Sequence, residues 1–153
     1  MADLKKRYLM SQTFKLSPTI KNVVLADDDE DDVLVFRDAV QKACAALELQ
    51  VVADGDQLMK LLQVIKVPDL ILIDLNMPGT SGKECLQMIR ADQRFNSTKL
   101  MIFSISSTHK DIQYCLNNGA DYYTVKFGSL RQLAELVDDI CRGELKNRFT
   151  IGS

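Results

Sequence analysis

Two periodicities alternate along this chain. Short runs centred on apolar residues occur at Asn22–Ala26, Leu49–Ala53, Leu70–Asp74, Lys99–Ser104 and Tyr122–Val125. Between them apolar residues recur at helical spacings. They are Val33, Phe36, Val40, Ala43 and Leu47; then Leu58, Leu61, Leu62 and Ile65; then Leu86 and Ile89; then Ile112, Cys115 and Leu116; and last Leu130, Leu133, Val137, Ile140 and Cys141. Runs of the first kind read as strands, and spacings of three, four and seven mark one face of a helix. Strand then helix, five times over, predicts an α/β fold, a doubly wound five-stranded parallel sheet with helices on both faces. Unbroken apolarity, as in Leu70–Ile73, fits strands buried on both sides. Right-handed crossovers leave few topologies, and the common order for five strands is 2-1-3-4-5.

The pattern covers residues 21–143, which read as one domain. Arg142 followed by Gly143 is a helix stop, a basic last turn and then a residue free to turn left-handed. Residues 1–20 read as an N-terminal extension. Lys5, Lys6, Arg7 and Lys15 make it basic, Leu4, Tyr8, Leu9 and Met10 could form a short helix, and Pro18 favours an extended approach to the first strand. Residues 144–153 read as a C-terminal tail, too short for a second domain.

Composition narrows the function classes. With 46% hydrophobic and 26% charged residues over 153, the chain can bury a core without metals or disulfides as staples. The longest apolar run, Ala43–Leu47, is too short for a membrane span, and no signal core stands in the first thirty residues. Cys44, Cys85, Cys115 and Cys141 form no Cys-x-x-Cys pair, which suits reduced thiols and a cytoplasmic location. A net charge of -2 does not suggest a nucleic-acid surface.

In an open α/β sheet the ligand sits beyond the carboxyl ends of the strands, where the strand order reverses. Asp27 and Asp28 follow the first strand, Asp74 ends the third, Ser104 the fourth, and Lys126 follows the fifth. Strands one, three and four are neighbours in the expected order, so these groups converge. Crowded carboxylates repel unless a cation intervenes, and Mg²⁺ with one or two carboxylates, water and phosphate oxygens is the natural partner. A carboxylate can act as nucleophile, while a lysine and a hydroxyl stabilise the oxygens of a transferring phosphoryl group.

Other readings of these residues are weaker. Asp29 is placed to cap a helix, and Glu30, Asp31 and Asp32 favour its dipole, which is the whole role assigned to Asp31 and Asp32. Asp27-x-Asp29-x-Asp31 imitates a calcium loop, but Asp32 stands where that loop needs glycine. The Asp-x-Asp of haloacid-dehalogenase-like phosphatases would need Thr or Val at Asp31, and it usually comes with a cap insertion missing here. His109 reads as a surface residue, Met59, Met77, Met88 and Met101 as core filler, and Gly79 and Gly82 as loop backbone. Tyr122 and Tyr123 must face opposite ways in a strand.

With Asp27-Asp28 before it and Ser104, Gly119-Ala120 and Lys126 after it, the stretch Asp74-Leu75-Asn76-Met77-Pro78-Gly79 resembles the phosphorylation loop of response-regulator receiver domains, the CheY-like family. The resemblance spans roughly Lys21 to Arg142 and implies a flavodoxin-like (βα)5 fold. It implies Asp74 as phosphoacceptor, with Mg²⁺ held by Asp28 and Asp74, Asp27 assisting, and the backbone carbonyl of Asn76 completing the protein ligands. Lys126 would contact the phosphoryl group, Ser104 would move to bond it, and Tyr123 would swing inward in response. Helix four, strand five and helix five would carry the signal outward. Two positions depart from the pattern: Phe127 stands where the family usually has a proline, and Ile105 where it usually has a small residue. Asn76 and Ser106 occupy places that tune water attack.

The expected function is a single-domain response regulator rather than an enzyme in its own right. Its donor would be a sensor histidine kinase or a histidine phosphotransfer protein, and its output a downstream protein. It would be a monomer or weak homodimer. The alternative is a receiver-like interaction module that works without phosphate.

Overall fold

The computed structural model describes residues 19–126 and 128–149. The expected helix at Leu4–Met10, the extended Pro18 and Phe127 therefore lie outside the described residues. The strands are β1 (Asn22–Ala26), β2 (Glu48–Val52), β3 (Leu70–Ile73), β4 (Lys99–Ser104) and β5 (Tyr122–Val125). The helices are α1 (Glu30–Ala43), α2 (Gly55–Val64), α3 (Gly82–Ala91), α4 (His109–Asn117) and α5 (Leu130–Arg142), with a 3-10 turn at Gln93–Phe95. All strand pairs are parallel and the order is β2-β1-β3-β4-β5, as the alternating pattern predicts. The second strand starts and ends one residue earlier than expected, and Asp74 falls just past the third.

Every α-helix starts on a residue that can cap it. The side chains of Asp29, Asp54, Ser81, Thr108 and Ser129 each accept a hydrogen bond from the backbone amide three residues on. Such a cap contributes about 1 kcal/mol and fixes where the chain turns from strand to helix. That turn is where the functional groups sit.

Successive strand residues feed two cores. Val24, Ala26, Ile71, Ile73 and Ile102 meet Leu58 and Leu62 of α2, Leu86 and Ile89 of α3, and Ile112 and Cys115 of α4. Val23, Leu25, Leu70, Leu72 and Met101 face the other way, onto Phe36 and Val40 of α1 and Leu136, Val137 and Ile140 of α5. Several apolar positions depart from their expected places. Helix α1 ends at Ala43, so Leu47 is buried in the turn before β2 rather than on the helical stripe, and Ala43 itself is exposed. Leu130 is 71% exposed, and Leu136 takes its share of the core. Met88 is exposed, whereas Met77 and Met101 are buried.

All four cysteines are free thiols, Cys85 and Cys115 buried and Cys44 and Cys141 half-buried. Among the described residues no helix is long and apolar enough to cross a membrane.

Gly119 shows why Gly-Ala precedes β5. Its φ of +106° suits only glycine, and a Cβ there would stand 2.4 Å from Cγ of Arg90. The Arg90 guanidinium in turn donates to the carbonyls of Gly119, Phe95 and Thr98 and to the carboxylate of Asp121, at 2.7–2.9 Å. Asp121 accepts the Leu100 amide at 2.9 Å, so one cation locks the entry to both β4 and β5.

Candidate functional site

Three strand ends hand their last ladder bonds to charged residues. The amide of Asp27 donates to the carbonyl of Val52 at 3.0 Å, that of Asp74 to Ala26 at 2.9 Å, and that of Lys126 to Ser104 at 2.8 Å. Each backbone is thus pinned to a neighbouring strand, which aims its side chain into the crevice beyond the carboxyl ends of β1 and β3, where the strand order reverses. Gly82 closes the floor of the crevice. A Cβ at Gly82 would lie 2.4 Å from the Asp74 carbonyl oxygen, so only glycine lets α3 start this close to the β3 end.

Asp27, Asp28 and Asp74 each present a carboxylate oxygen, all within 4.8 Å of one another. Asp27 and Asp74 are buried and Asp28 is exposed, so the cluster has one open side. The Nζ of Lys126 donates to Asp27 at 2.7 Å, Asp32 at 2.9 Å and Asp74 at 3.3 Å, and lies 5.1 Å from the Phe103 ring centroid. Burial, reinforced by the charge of Asp74, lifts Asp27 to about 6 even though Lys126 and the Asp29 amide oppose the shift. Burial works against charge on Lys126, but its carboxylate partners hold it firmly protonated. One lysine therefore does not neutralise the pocket. Hard oxygen donors, a residual negative charge and an open side fit a divalent cation such as Mg²⁺.

The remaining expected residues lie on β4, β5 and the loops that follow β3 and β4. The second oxygen of Asp74 accepts the Asn76 amide at 3.1 Å, which shapes the loop that presents Asn76. Ser104 is fully buried, and its hydroxyl accepts the Ser106 amide at 3.3 Å. Tyr123 is already inward, with no exposed surface, and its hydroxyl donates to the Ser106 carbonyl at 2.7 Å. Burial pushes that phenol up to about 12, so it remains a donor. Ile105 is 69% exposed, and His109 is exposed at the start of α4.

Two features went unread in the sequence. Asp32 does more than favour the α1 dipole, because it is one of three carboxylates on Lys126. The signal was present: Asp32, Phe36 and Val40 share one helical stripe, and a polar residue on a buried stripe calls for a partner. The second is a bridge from α3 to the β4–α4 loop. Asp111 accepts Lys83 at 2.8 Å and the Ser106 hydroxyl at 2.6 Å, and these two bonds hold its carboxyl below the ordinary range. The pairing joins residues 28 positions apart and has no local signature.

Comparison with known proteins agrees with this geometry. The response regulator receiver domain model matches residues 23–138. The chain is 33% identical over 119 residues to the nitrate/nitrite response regulator NarL of Escherichia coli K12, covering 75% of this chain and 54% of that protein. It is 31% identical over 116 residues to the transcriptional regulatory protein DegU of Brevibacillus brevis, covering 74% of this chain and 48% of DegU. The chain thus spans about half the length of these curated relatives. Among solved structures, the phosphorylated cyanobacterial phytochrome response regulator RcpA superposes with a TM-score of 0.74 at 28% identity, covering 80% of this chain and 91% of RcpA. The Mn²⁺-bound response regulator Rcp1 gives 0.72 at 25% identity, covering 78% and 91%.

Proposed function

The chain belongs to the response regulator receiver family of two-component signalling, and from that premise we propose that Asp74 accepts a phosphoryl group from a phosphohistidine donor and that the product switches partner binding. The observation that carries this reading is the meeting of Asp27, Asp28, Asp74 and Lys126 at the carboxyl ends of β1, β3 and β5. A carboxylate oxygen of Asp74 attacks phosphorus. The phosphorus–nitrogen bond breaks, the phosphorus–oxygen bond of an acyl phosphate forms, and the imidazole leaves with the bonding pair. Lys126 exchanges a carboxylate contact for a phosphoryl oxygen, and Ser104 turns its hydroxyl toward the same group. Asp28 and Asp74, with Asp27 and the Asn76 carbonyl, would hold Mg²⁺, which would supply charge to offset the incoming phosphoryl group. A sensor histidine kinase or histidine phosphotransfer protein is the donor, and the face of α4, β5 and α5 is where a downstream protein reads the result.

The test is intact-protein mass after exposure to acetyl phosphate, with and without Mg²⁺, beside Asp74→Asn. One phosphoryl adduct that requires both the metal and Asp74 is expected. No adduct from this donor or from a phosphorylated histidine phosphotransfer protein would overturn the reading and leave a phosphate-independent module.

A further inference from the structure

The chain does not leave β5 as a bare sheet edge. After the left-handed Gly143 ends α5, the backbone turns back and runs beside β5. The Arg148 amide donates to the Tyr123 carbonyl, and the Val125 amide to the Arg148 carbonyl, both at 2.9 Å, which makes a parallel bridge. The Asn147 side chain accepts the Tyr123 amide at 2.8 Å. The Arg148 guanidinium pairs with Asp139 and Glu135 of α5, and the Phe149 ring stands edge-on to Tyr123 with centroids 6.3 Å apart at 89°. This segment covers an edge that would otherwise invite a foreign strand.

The strap is bonded but not tightly packed. A cavity of about 380 Å³ lies between it, α5 and Lys126, lined by Phe103, Leu133, Leu136, Arg148 and Phe149 among others. Arg148 Nε is buried there and has no hydrogen-bond partner among the described residues. Two routes connect the strap to the site. Phe149 braces Tyr123, whose hydroxyl holds the Ser106 carbonyl, and the Ser106 amide in turn holds the Ser104 hydroxyl. Arg148 also pairs with Val125, the residue before Lys126.

We propose that residues 145–149 are a built-in ligand of the β5–α5 edge, and that their docking keeps Tyr123 inward and is positively coupled to phosphorylation at Asp74. The coupling rests on the receiver reading above. Reciprocity follows from linkage: a strap that favours the Tyr123-inward state assists phosphorylation, and a phosphorylated Asp74 tightens the strap.

Both directions are measurable on the full chain. Beryllium fluoride with Mg²⁺, as a phosphoryl mimic, is expected to slow hydrogen exchange at the Arg148 and Val125 amides. Phe149→Ala is expected to weaken binding of that mimic by about five-fold or more, the lower end of coupling between linked sites. Phe149→Leu, which keeps an apolar brace, should recover part of the affinity. Equal affinities for the mimic in wild type and Phe149→Ala, or amide exchange indifferent to the mimic while the wild type still forms its adduct, would overturn the inference alone. A wild type that forms no adduct from either donor would overturn the receiver reading and the coupling with it.

Discussion

Lys126 carries an unusual load for a single side chain. It contacts three carboxylates, yet one charge cannot balance them, and Asp27 beneath it is only 2% exposed. Removing one partner of a buried ion pair generally costs about 3–5 kcal/mol, because the other charge is left uncompensated. Lys126→Met should therefore destabilise the protein by about 3 kcal/mol at pH 7.5, measured by urea unfolding. The loss should shrink at pH 5, where Asp27 can take up a proton instead. A loss equal at both pH values would mean Asp27 is not the group left stranded. Asp28 is the converse case, an exposed member of a repelling cluster. Asp28→Asn should leave the metal-free melting temperature unchanged or raise it, while abolishing most of the rise produced by millimolar Mg²⁺. A full metal-induced rise in this variant would remove Asp28 from the ligands.

The elements were legible where pattern and burial coincide. All five strands and five helices lie where the alternating periodicities put them, because a strand buried on both faces and a helix buried on one each impose a spacing that survives in the sequence. Boundaries were less legible. Leu47 continued the α1 spacing but belongs to the following turn, since the helix had already ended at Ala43. Leu130 begins α5 on its exposed side, and no count of apolar residues distinguishes it from Leu136. At the site, the charged residues at the strand ends could be read because topology alone makes them converge. Spacing puts Asp32 on the stripe of Phe36 and Val40 but does not name Lys126 as its partner, and the pairing of Lys83 with Asp111 depends on how helices sit against loops, which spacing does not encode. Gly82 is a point where element packing and site geometry are one constraint. Gly82→Ala would drive a methyl group into the Asp74 carbonyl, at a cost of about 1–3 kcal/mol for overpacking. It should also reduce phosphoryl adduct formation, because α3 can move away only by dragging the Asp74 loop. A variant with normal stability and normal adduct yield would show that the close approach is dispensable.

Across the whole molecule, two apolar cores hold a sheet whose open end concentrates negative charge, and that arrangement gives Asp27 a contribution to stability whose pH dependence is opposite to the usual acid lability. Asp27 titrates near 6 in the folded protein against 3.8 ordinarily, so between these values the folded state binds more protons than the unfolded one. Protonation linkage then makes this group's contribution most favourable at low pH and progressively lost as pH rises through 6. Mg²⁺ would work in the other direction, because it would bind a folded pocket that has shed its proton. Thermal melts at pH 7.5, 6.5 and 5.5 should show the metal-free protein gaining stability as pH falls, and the absence of any gain would mean that Asp27 does not set the trend. The increment from Mg²⁺ should be larger at pH 7.5 than at pH 5.5. Proton and metal would then be competing for one carboxylate cluster. A metal increment that stays constant from pH 7.5 to 5.5 would contradict that competition and place the cation on groups already ionised at every pH in the series.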